Sequence, residues 1–184
     1  MKTSHTLGAL ALLCCIGIQC AAPAFADEPK KVAFVDTGNT GRSVMAEAIA
    51  NQLIAQRHAH VSVISRAVDE DPYDEKPEEN GVILMKRRGI DTSAHRAVQL
   101  NANDVKHSDV ILTMTDKHKE KVLALYPSAA GKVFTLAEYA TGKHLDVPDA
   151  WGKPIDFYES VTAQLDTYLP AALDKVATAT PAKQ

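Results

Sequence analysis

A glycine-containing loop at residues 36–43 carries the clearest chemical signal in the sequence. It joins an apolar run to a segment with helical spacing. Two glycines let several backbone N–H groups converge, the helix that follows presents the positive end of its dipole, and Arg42 can bind two oxygens at once. These features predict a cradle for a tetrahedral oxyanion. Taken by itself, the spacing fits a tight turn beside a solvated arginine equally well.

The segments that must position this oxyanion loop (residues 36–43) alternate between strand and helix patterns. Short apolar runs predict four strands, at residues 32–35, 61–64, 110–112 and 133–136. Periodic apolar positions predict four helices, over about 43–57, 82–89, 116–125 and 154–176. This order predicts an α/β fold, a four-stranded parallel sheet with helices on both faces. Ligands in such folds bind beyond the carboxyl ends of the strands. Pro170 is expected to kink or divide the last helix.

The first 26 residues have the layout of a secretory signal peptide. Lys2 precedes an apolar run at residues 7–18, and small residues come just before Asp27. The run is shorter than the about 20 residues of a membrane span. We therefore expect cleavage after Ala26 and export to the periplasm or the medium, with no membrane attachment after cleavage. Residues 27–176 would form one domain and residues 177–184 a flexible tail.

The three cysteines, Cys14, Cys15 and Cys20, all lie in the predicted signal peptide. The remaining 158 residues carry 19 basic and 23 acidic side chains, a net charge of −4, which gives no electrostatic footprint for nucleic acid. A mature chain without cysteine has no thiolate nucleophile and no disulfide. The histidines show no metal-binding spacing, so we expect no metal and no cofactor. Nothing in the sequence indicates an oligomeric state.

The residues around the oxyanion loop resemble the low-molecular-weight protein phosphatases. Residues 32–48 are similar to that family's phosphate-binding loop, which reads Cys, five residues, Arg, Ser and then a Met-Ala-Glu helix start. Residues 112–119 resemble its third strand and following helix, and residues 132–142 and 146–152 resemble its acid-loop region. The resemblance covers essentially all of the predicted mature chain and implies the same fold.

The resemblance also implies a role for each loop residue. The phosphoryl group would be bound by Thr37, Gly38, Asn39, Thr40, Gly41, Arg42 and Ser43. Asn39 would hold the loop shape, and Ser43 would support the nucleophile. Asp149 would donate a proton to the leaving group, and Trp151 would wall the substrate cleft with Thr40. Thr40 and residues 133–139 are most similar to bacterial protein-arginine phosphatases. Taken singly, these side chains fit simpler roles, such as helix caps and turn residues.

Two positions depart from the family pattern. Asp36 stands where the family has its nucleophilic cysteine, and Gly41 stands where it has a second one. A carboxylate can attack phosphate, since aspartyl-phosphate intermediates exist. However, its oxygen reaches roughly 2.4 Å from Cβ, against about 1.8 Å for a thiolate sulfur, so it intrudes on the phosphate site. We predict instead that Asp36 accepts N–H bonds from the loop and pairs with Arg42, imitating a phosphate.

Three functions follow. The favoured one is an exported pseudophosphatase that binds phosphate or a phosphorylated protein or small molecule. The second is an active phosphomonoesterase or protein (arginine or tyrosine) phosphatase, with Asp36 as nucleophile, Arg42 as clamp and Asp149 as general acid. The third is an interaction module whose loop holds no ligand. Residues 36–40 also resemble the Asp-x-Asp-x-Thr loop of haloacid-dehalogenase-type phosphatases, but Gly38 stands at the second Asp position, and no downstream magnesium motif is found.

Overall fold

The structure, a computed structural model, describes residues 28–179. The predicted signal peptide and the end of the predicted tail lie outside this part. The strands of the described part are β1 (Lys30–Asp36), β2 (Val61–Ala67), β3 (Val110–Thr113) and β4 (Val133–Thr135). Its helices are α1 (Arg42–Arg57), α2 (Glu79–Arg87), α3 (Ala102–His107), α4 (Asp116–Leu125), α5 (Leu136–Thr141) and α6 (Ile155–Thr178), with a 3₁₀ turn at Pro127–Ala129.

The four strands form one parallel sheet in the order β2-β1-β3-β4. Successive residues of a strand face opposite sides, and β1 follows this rule. Val32 and Phe34 belong to one apolar cluster with residues of α1, α5 and α6, whereas Ala33 and Val35 belong to a second with Val105 of α3 and others. Burial on both faces explains why the run is continuously apolar. The predicted four-stranded parallel sheet with helices on both faces is confirmed.

The last helix continues through Pro170. α6 runs from Ile155 to Thr178 with Pro170 inside it, so the predicted division into two helices is wrong, whereas the alternative of a kink stays a prediction. Leu169 and Leu173 flank the proline and are buried in the core. Burying two leucines stabilises by about 1.5–3 kcal/mol each, which offsets the ~3 kcal/mol cost of an internal proline. The helix also runs two residues into the predicted tail. Within residues 28–179, no helix is both long and apolar enough to cross a bilayer.

Two short helices, α3 and α5, were not predicted from the sequence, because six residues are too few to show a helical spacing of apolar side chains. Asn101 and Asp104 form a capping box that starts α3, and Thr135 and Glu138 form one that starts α5. In each box the cap side chain accepts a backbone N–H, and the acidic residue three positions later bonds back to the backbone of the cap. The second box ends β4 at Thr135, one residue before the predicted end.

Candidate phosphate-binding site

The oxyanion loop lies at the carboxyl end of β1, and its shape is fixed around Asn39. This fully buried residue has a left-handed backbone with φ 56°. Its amide nitrogen donates to Ser43 Oγ at 3.0 Å, and its amide oxygen accepts from the Val98 backbone N–H at 3.0 Å. The ring Nε2 of His95 lies 2.9 Å from its carbonyl oxygen. The structure therefore gives Asn39 the contacts that the predicted loop-shaping role requires.

Asp36 ends β1 inside the loop and is 3 % exposed. Its Oδ1 accepts from the backbone N–H of Asn39 at 2.6 Å, and its Oδ2 accepts from that of Ser43 at 2.8 Å. Hydrogen bonds to a charged acceptor are short and strong, as these are. Both carboxylate oxygens thus take up donors that belong to the loop and to the first turn of α1.

Arg42 does not form the predicted ion pair with Asp36. Its Nη2 lies 3.2 Å from Oδ1 of Asp149, and its Nη1 donates to the Val147 carbonyl at 3.2 Å. Among the described ion pairs, Arg42 occurs only with Asp149. The physical reason is that the Asp36 oxygens are already bonded to backbone N–H groups, whereas Val147 and Asp149 offer acceptors on the facing loop.

That facing segment, the acid loop (residues 146–152), is anchored by its small apolar residues. The Val147 N–H donates to the Met114 carbonyl at the end of β3 at 2.8 Å, and Val147 and Ala150 are buried. The Asp149 side chain is 61 % exposed, and its Oδ1 accepts from the Trp151 backbone N–H at 3.2 Å. The backbone of the acid loop is thus held against the core, whereas the Asp149 carboxylate is in solvent.

A cleft of about 490 Å³ lies between the oxyanion loop, the start of α4 and the acid loop, lined among others by Thr37, Arg42, Lys117, His118, Asp146 and Asp149. Neither residue predicted to line the cleft is on its wall. Thr40 is 7 % exposed and donates from Oγ1 to Glu78 Oε1 at 3.4 Å. Trp151 lines a separate depression of about 380 Å³ with Glu78 and Tyr158.

His118 is a site residue that sequence reasoning missed. Its Nε2 lies 2.9 Å from Thr37 Oγ1, and its buried Nδ1 has no hydrogen-bond partner among the described residues. Burial and, secondly, the nearby Arg42 charge lower the pKa of His118 to about 4, against the opposing effect of Asp36 and other carboxylates. The imidazole is therefore neutral at neutral pH. His118 lies in the first turn of the helix that follows β3, at the edge of a parallel sheet where ligands bind. That position could have identified it from the sequence.

Glu78 was also missed, and it packs directly on the oxyanion loop. Its backbone N–H donates to the Thr40 carbonyl at 2.9 Å, and Tyr158 donates from its hydroxyl to Glu78 Oε2 at 2.5 Å. Burial raises the pKa of the Glu78 carboxyl, and the charges of Asp36 and Asp149 act in the same direction. Residues 28–179 contain no group of three His, Cys, Asp or Glu side chains placed to hold a metal ion.

Comparison with known proteins finds phosphatases that are similar to this chain. The family described as low molecular weight phosphotyrosine protein phosphatase matches residues 31–181. A protein-arginine-phosphatase of Geobacillus stearothermophilus is 32% identical over 152 residues, 82% of this chain and 98% of that protein. A probable low molecular weight protein-tyrosine-phosphatase EpsP of Ralstonia solanacearum is 32% identical, over 80% of this chain and 96% of its own.

A solved structure gives the same assignment. It is that of the YwlE arginine phosphatase, a cysteine-to-serine mutant with a phosphorylated active-site serine. It superposes with a TM-score of 0.76 at 32% identity and covers 80% of this chain and 96% of that one. The α/β fold read from the sequence is therefore the fold of these phosphatases.

Proposed function

The chain belongs to the low molecular weight phosphotyrosine protein phosphatase family, and we propose that it is an exported member that binds phosphate or a phosphorylated group without hydrolysing it. One observation carries the proposal: both oxygens of Asp36 accept N–H bonds from the oxyanion loop, at 2.6 and 2.8 Å. A nest of N–H donors of this kind suits an oxyanion. In the proposal, Asp36 stands where its relatives use a cysteine and acts as an internal substitute for the phosphoryl oxygens.

The same contacts argue against Asp36 as a nucleophile. A nucleophilic oxygen must lie in line with the phosphorus, about 3–3.5 Å away, and each hydrogen bond that it accepts makes its lone pairs less reactive. The Asp36 carboxylate is 3 % exposed, and each of its oxygens already has a donor. It also brings a negative charge to the place where a phosphoryl dianion would enter, which raises the energy of the bound state. A phosphorylated ligand must therefore displace the carboxylate or bind at the outer face of the loop.

Arg42 is the group that would hold such a ligand. Its guanidinium is fixed by the Val147 carbonyl and reaches the wall of the cleft, where it meets Asp149. A guanidinium binds two phosphoryl oxygens at once, which a single exposed lysine cannot do. Since two relatives are named protein-arginine-phosphatase and protein-tyrosine-phosphatase, we propose a phosphorylated protein side chain as the ligand class.

The alternative of an active phosphatase through Asp36 is favoured by one feature, the position of Asp149. This carboxylate is 61 % exposed at the rim of the cleft, 3.2 Å from Arg42, where a general acid could reach a leaving group. A binding protein has no use for a general acid. The acid does have a structural use here, since Asp149 accepts the Trp151 backbone N–H and so stabilises the turn of the acid loop.

Hydrolysis assays separate the two functions. Aryl phosphate and phosphoarginine are offered to the wild type and to Asp36→Cys, Asp36→Asn and Asp36→Ala, and phosphate-dependent shifts of the melting temperature are recorded for each. We expect no turnover by the wild type and a larger phosphate shift for Asp36→Ala, because the loop is then vacated. Wild-type turnover that disappears in Asp36→Asn would establish the enzyme instead. Absence of both turnover and a phosphate shift in every variant would contradict both functions and leave the interaction module.

Export is tested separately, on the full chain. Expression with residues 1–26 in a Gram-negative host should place the protein in the periplasmic fraction, and mass spectrometry should find Asp27 at its N-terminus. The variant Leu12→Arg is the control, because it places a charge in the apolar run that export requires. Intact protein that stays in the cytoplasm with Met1 or Lys2 at its N-terminus would refute the proposal.

A further inference from the structure

Glu78 occupies space that only a glycine at position 41 leaves open. A Cβ atom placed on Gly41 would lie 2.6 Å from Glu78 Cδ and 2.7 Å from its Oε2, closer than real Cβ atoms approach any atom. The carboxyl group of Glu78 therefore lies directly on the backbone of the oxyanion loop. Any side chain at position 41 would force it out.

Glu78 is held in that place by three hydrogen bonds, two of them to its carboxyl group. The Glu78 backbone N–H donates to the Thr40 carbonyl, Thr40 donates from Oγ1 to Oε1, and Tyr158 donates from its hydroxyl to Oε2. Thr40 is part of the loop, and Tyr158 is a buried residue of α6. Glu78 thus connects the loop to the longest helix, so its carboxyl group cannot swing away without losing contacts on both sides.

Charged groups from several elements face Glu78. Asp36 at the end of β1 and Asp149 in the acid loop favour its neutral form, whereas Arg42 in α1 and the Tyr158 hydroxyl favour the ionised form. The depression on its outer side adds four charged groups, which are Asp74, Lys76, Glu79 and Lys153. When Glu78 is ionised, its carboxylate and those of Asp36 and Asp149 lie near one buried arginine, which leaves the loop with an excess of negative charge.

We propose that Glu78 controls the anion affinity of the oxyanion loop, which accepts a dianion when Glu78 is protonated and rejects it when Glu78 is ionised. This inference rests on the proposed function, since it concerns the ligand of the same loop. Asp36 fills the loop from inside, and Glu78 adds a second negative charge from outside. An anion at the loop is then repelled by two carboxylates, of which only Glu78 reaches the surface depression.

The direction of the pH effect follows from the chemistry of the carboxyl group. Raising the pH through the elevated pKa of Glu78 places a negative charge beside the bound anion, so affinity falls. Lowering the pH removes the charge, so affinity rises. His118 does not produce this effect, because its pKa of about 4 leaves it neutral throughout the range from about pH 5 to about pH 8.

The test uses sulfate as the probe, because its charge stays constant over that range. Dissociation constants are measured by calorimetry at about pH 5 and about pH 8 for Asp36→Ala, which empties the loop, and for the same variant carrying Glu78→Gln. Glutamine keeps the size of Glu78 and an acceptor for Tyr158. The matched control is Glu79→Gln in the same background, because Glu79 is the exposed neighbour in sequence and lines the same depression.

Asp36→Ala should bind sulfate more tightly at the lower pH, by up to about tenfold, and Glu78→Gln should bind it tightly at both, since one unit charge near a dianion is worth about a factor of ten when it is fully present. Glu79→Gln should retain the pH dependence. Equal affinities and equal pH profiles for Asp36→Ala with and without Glu78→Gln would overturn the inference alone. Absence of sulfate binding by every variant at both pH values would overturn the proposed function and the inference with it.

A second variant protects the test against a folding defect in Glu78→Gln. Tyr158→Phe removes the hydroxyl that stabilises the ionised carboxylate and leaves Glu78 in place. In the Asp36→Ala background it should extend tight sulfate binding to higher pH, because Glu78 then remains protonated there. A shift of the profile to lower pH would contradict the proposal. Melting temperatures of all variants identify any that unfold.

Discussion

The oxyanion loop and the acid loop face one cleft, but they are stabilised in opposite ways. In the oxyanion loop the polar side chains are inside: Asp36, Asn39 and Ser43 are at most 3 % exposed and bond to one another or to backbone N–H groups. In the acid loop the apolar residues are inside, and the chemical ones, Asp149 and Trp151, are more than 60 % exposed.

Because of this difference, we expect the oxyanion loop to contribute mainly to folding stability and the acid loop mainly to ligand binding. A buried polar network is costly to break, because each lost partner leaves a desolvated group unsatisfied. An ion pair whose acid is mostly in solvent, as Asp149 is, contributes little to stability, since water screens it. Changes in the oxyanion loop should therefore appear first in the free energy of unfolding, and changes in the acid loop should appear in ligand affinity.

The strongest test of the buried side is Asn39→Ala. The substitution removes the acceptor of the Val98 N–H and the donor to Ser43, and it places alanine at a left-handed φ of 56°. We expect a loss of about 2–4 kcal/mol in the free energy of unfolding, measured by urea denaturation. Asn39→Gly is the control, because glycine accepts this backbone and should recover about 1 kcal/mol. A loss under about 0.5 kcal/mol for Asn39→Ala would show that the loop does not depend on this network.

A pH test addresses the wall between the two loops, where His118 lies. Its pKa of about 4 in the folded state is below the ordinary value of 6.5, so the unfolded state binds the extra proton first as the pH falls. The wild type should lose stability from about pH 6.5 down to about pH 4, by about 2 kcal/mol more than His118→Gln, which cannot titrate. His60→Gln, an exposed histidine, should behave like the wild type. Parallel pH profiles for the wild type and His118→Gln would contradict the assigned burial.

The contact between Gly41 and Glu78 gives a smaller effect on stability. Gly41→Ala should cost about 1–2 kcal/mol, because its Cβ must displace the Glu78 carboxyl. In a Glu78→Ala background the cost should fall by about 1 kcal/mol, a coupling that a double-mutant cycle measures. Gly38→Ala is the matched control, since its Cβ would meet its nearest neighbour, Thr40 Oγ1, at an ordinary 3.7 Å. Additive costs at positions 41 and 78 would mean that the two residues do not touch in solution.

The sequence predicted the features that depend on local pattern or on a contiguous motif. The strands, the longer helices and the oxyanion loop are of this kind, because apolar runs and the glycine spacing are visible within a few residues. Partners distant along the chain were not visible. Asp149 and Arg42 come into contact only when the strands between them have formed the sheet. Glu78 contacts Gly41 because of the position at which α2 begins. The predicted pair of Asp36 and Arg42 is wrong for this reason, since the acceptors that Arg42 contacts, Val147 and Asp149, are distant from it in the sequence.

The smallest effect on stability, and the most informative about binding, belongs to Asp149→Asn. Because the Asp149 side chain is 61 % exposed, its ion pair with Arg42 should contribute less than about 1 kcal/mol, although the Arg42 side chain itself is only 7 % exposed. The substitution nevertheless frees the guanidinium for a ligand, so phosphate affinity in the Asp36→Ala background should increase about twofold to fivefold by calorimetry. Asp174→Asn, which removes an exposed ion pair with Arg57, should leave that affinity unchanged. Weaker phosphate binding after Asp149→Asn would mean that the acid supports the ligand rather than competing with it, and the acid loop would then belong to the binding site as closely as the oxyanion loop does.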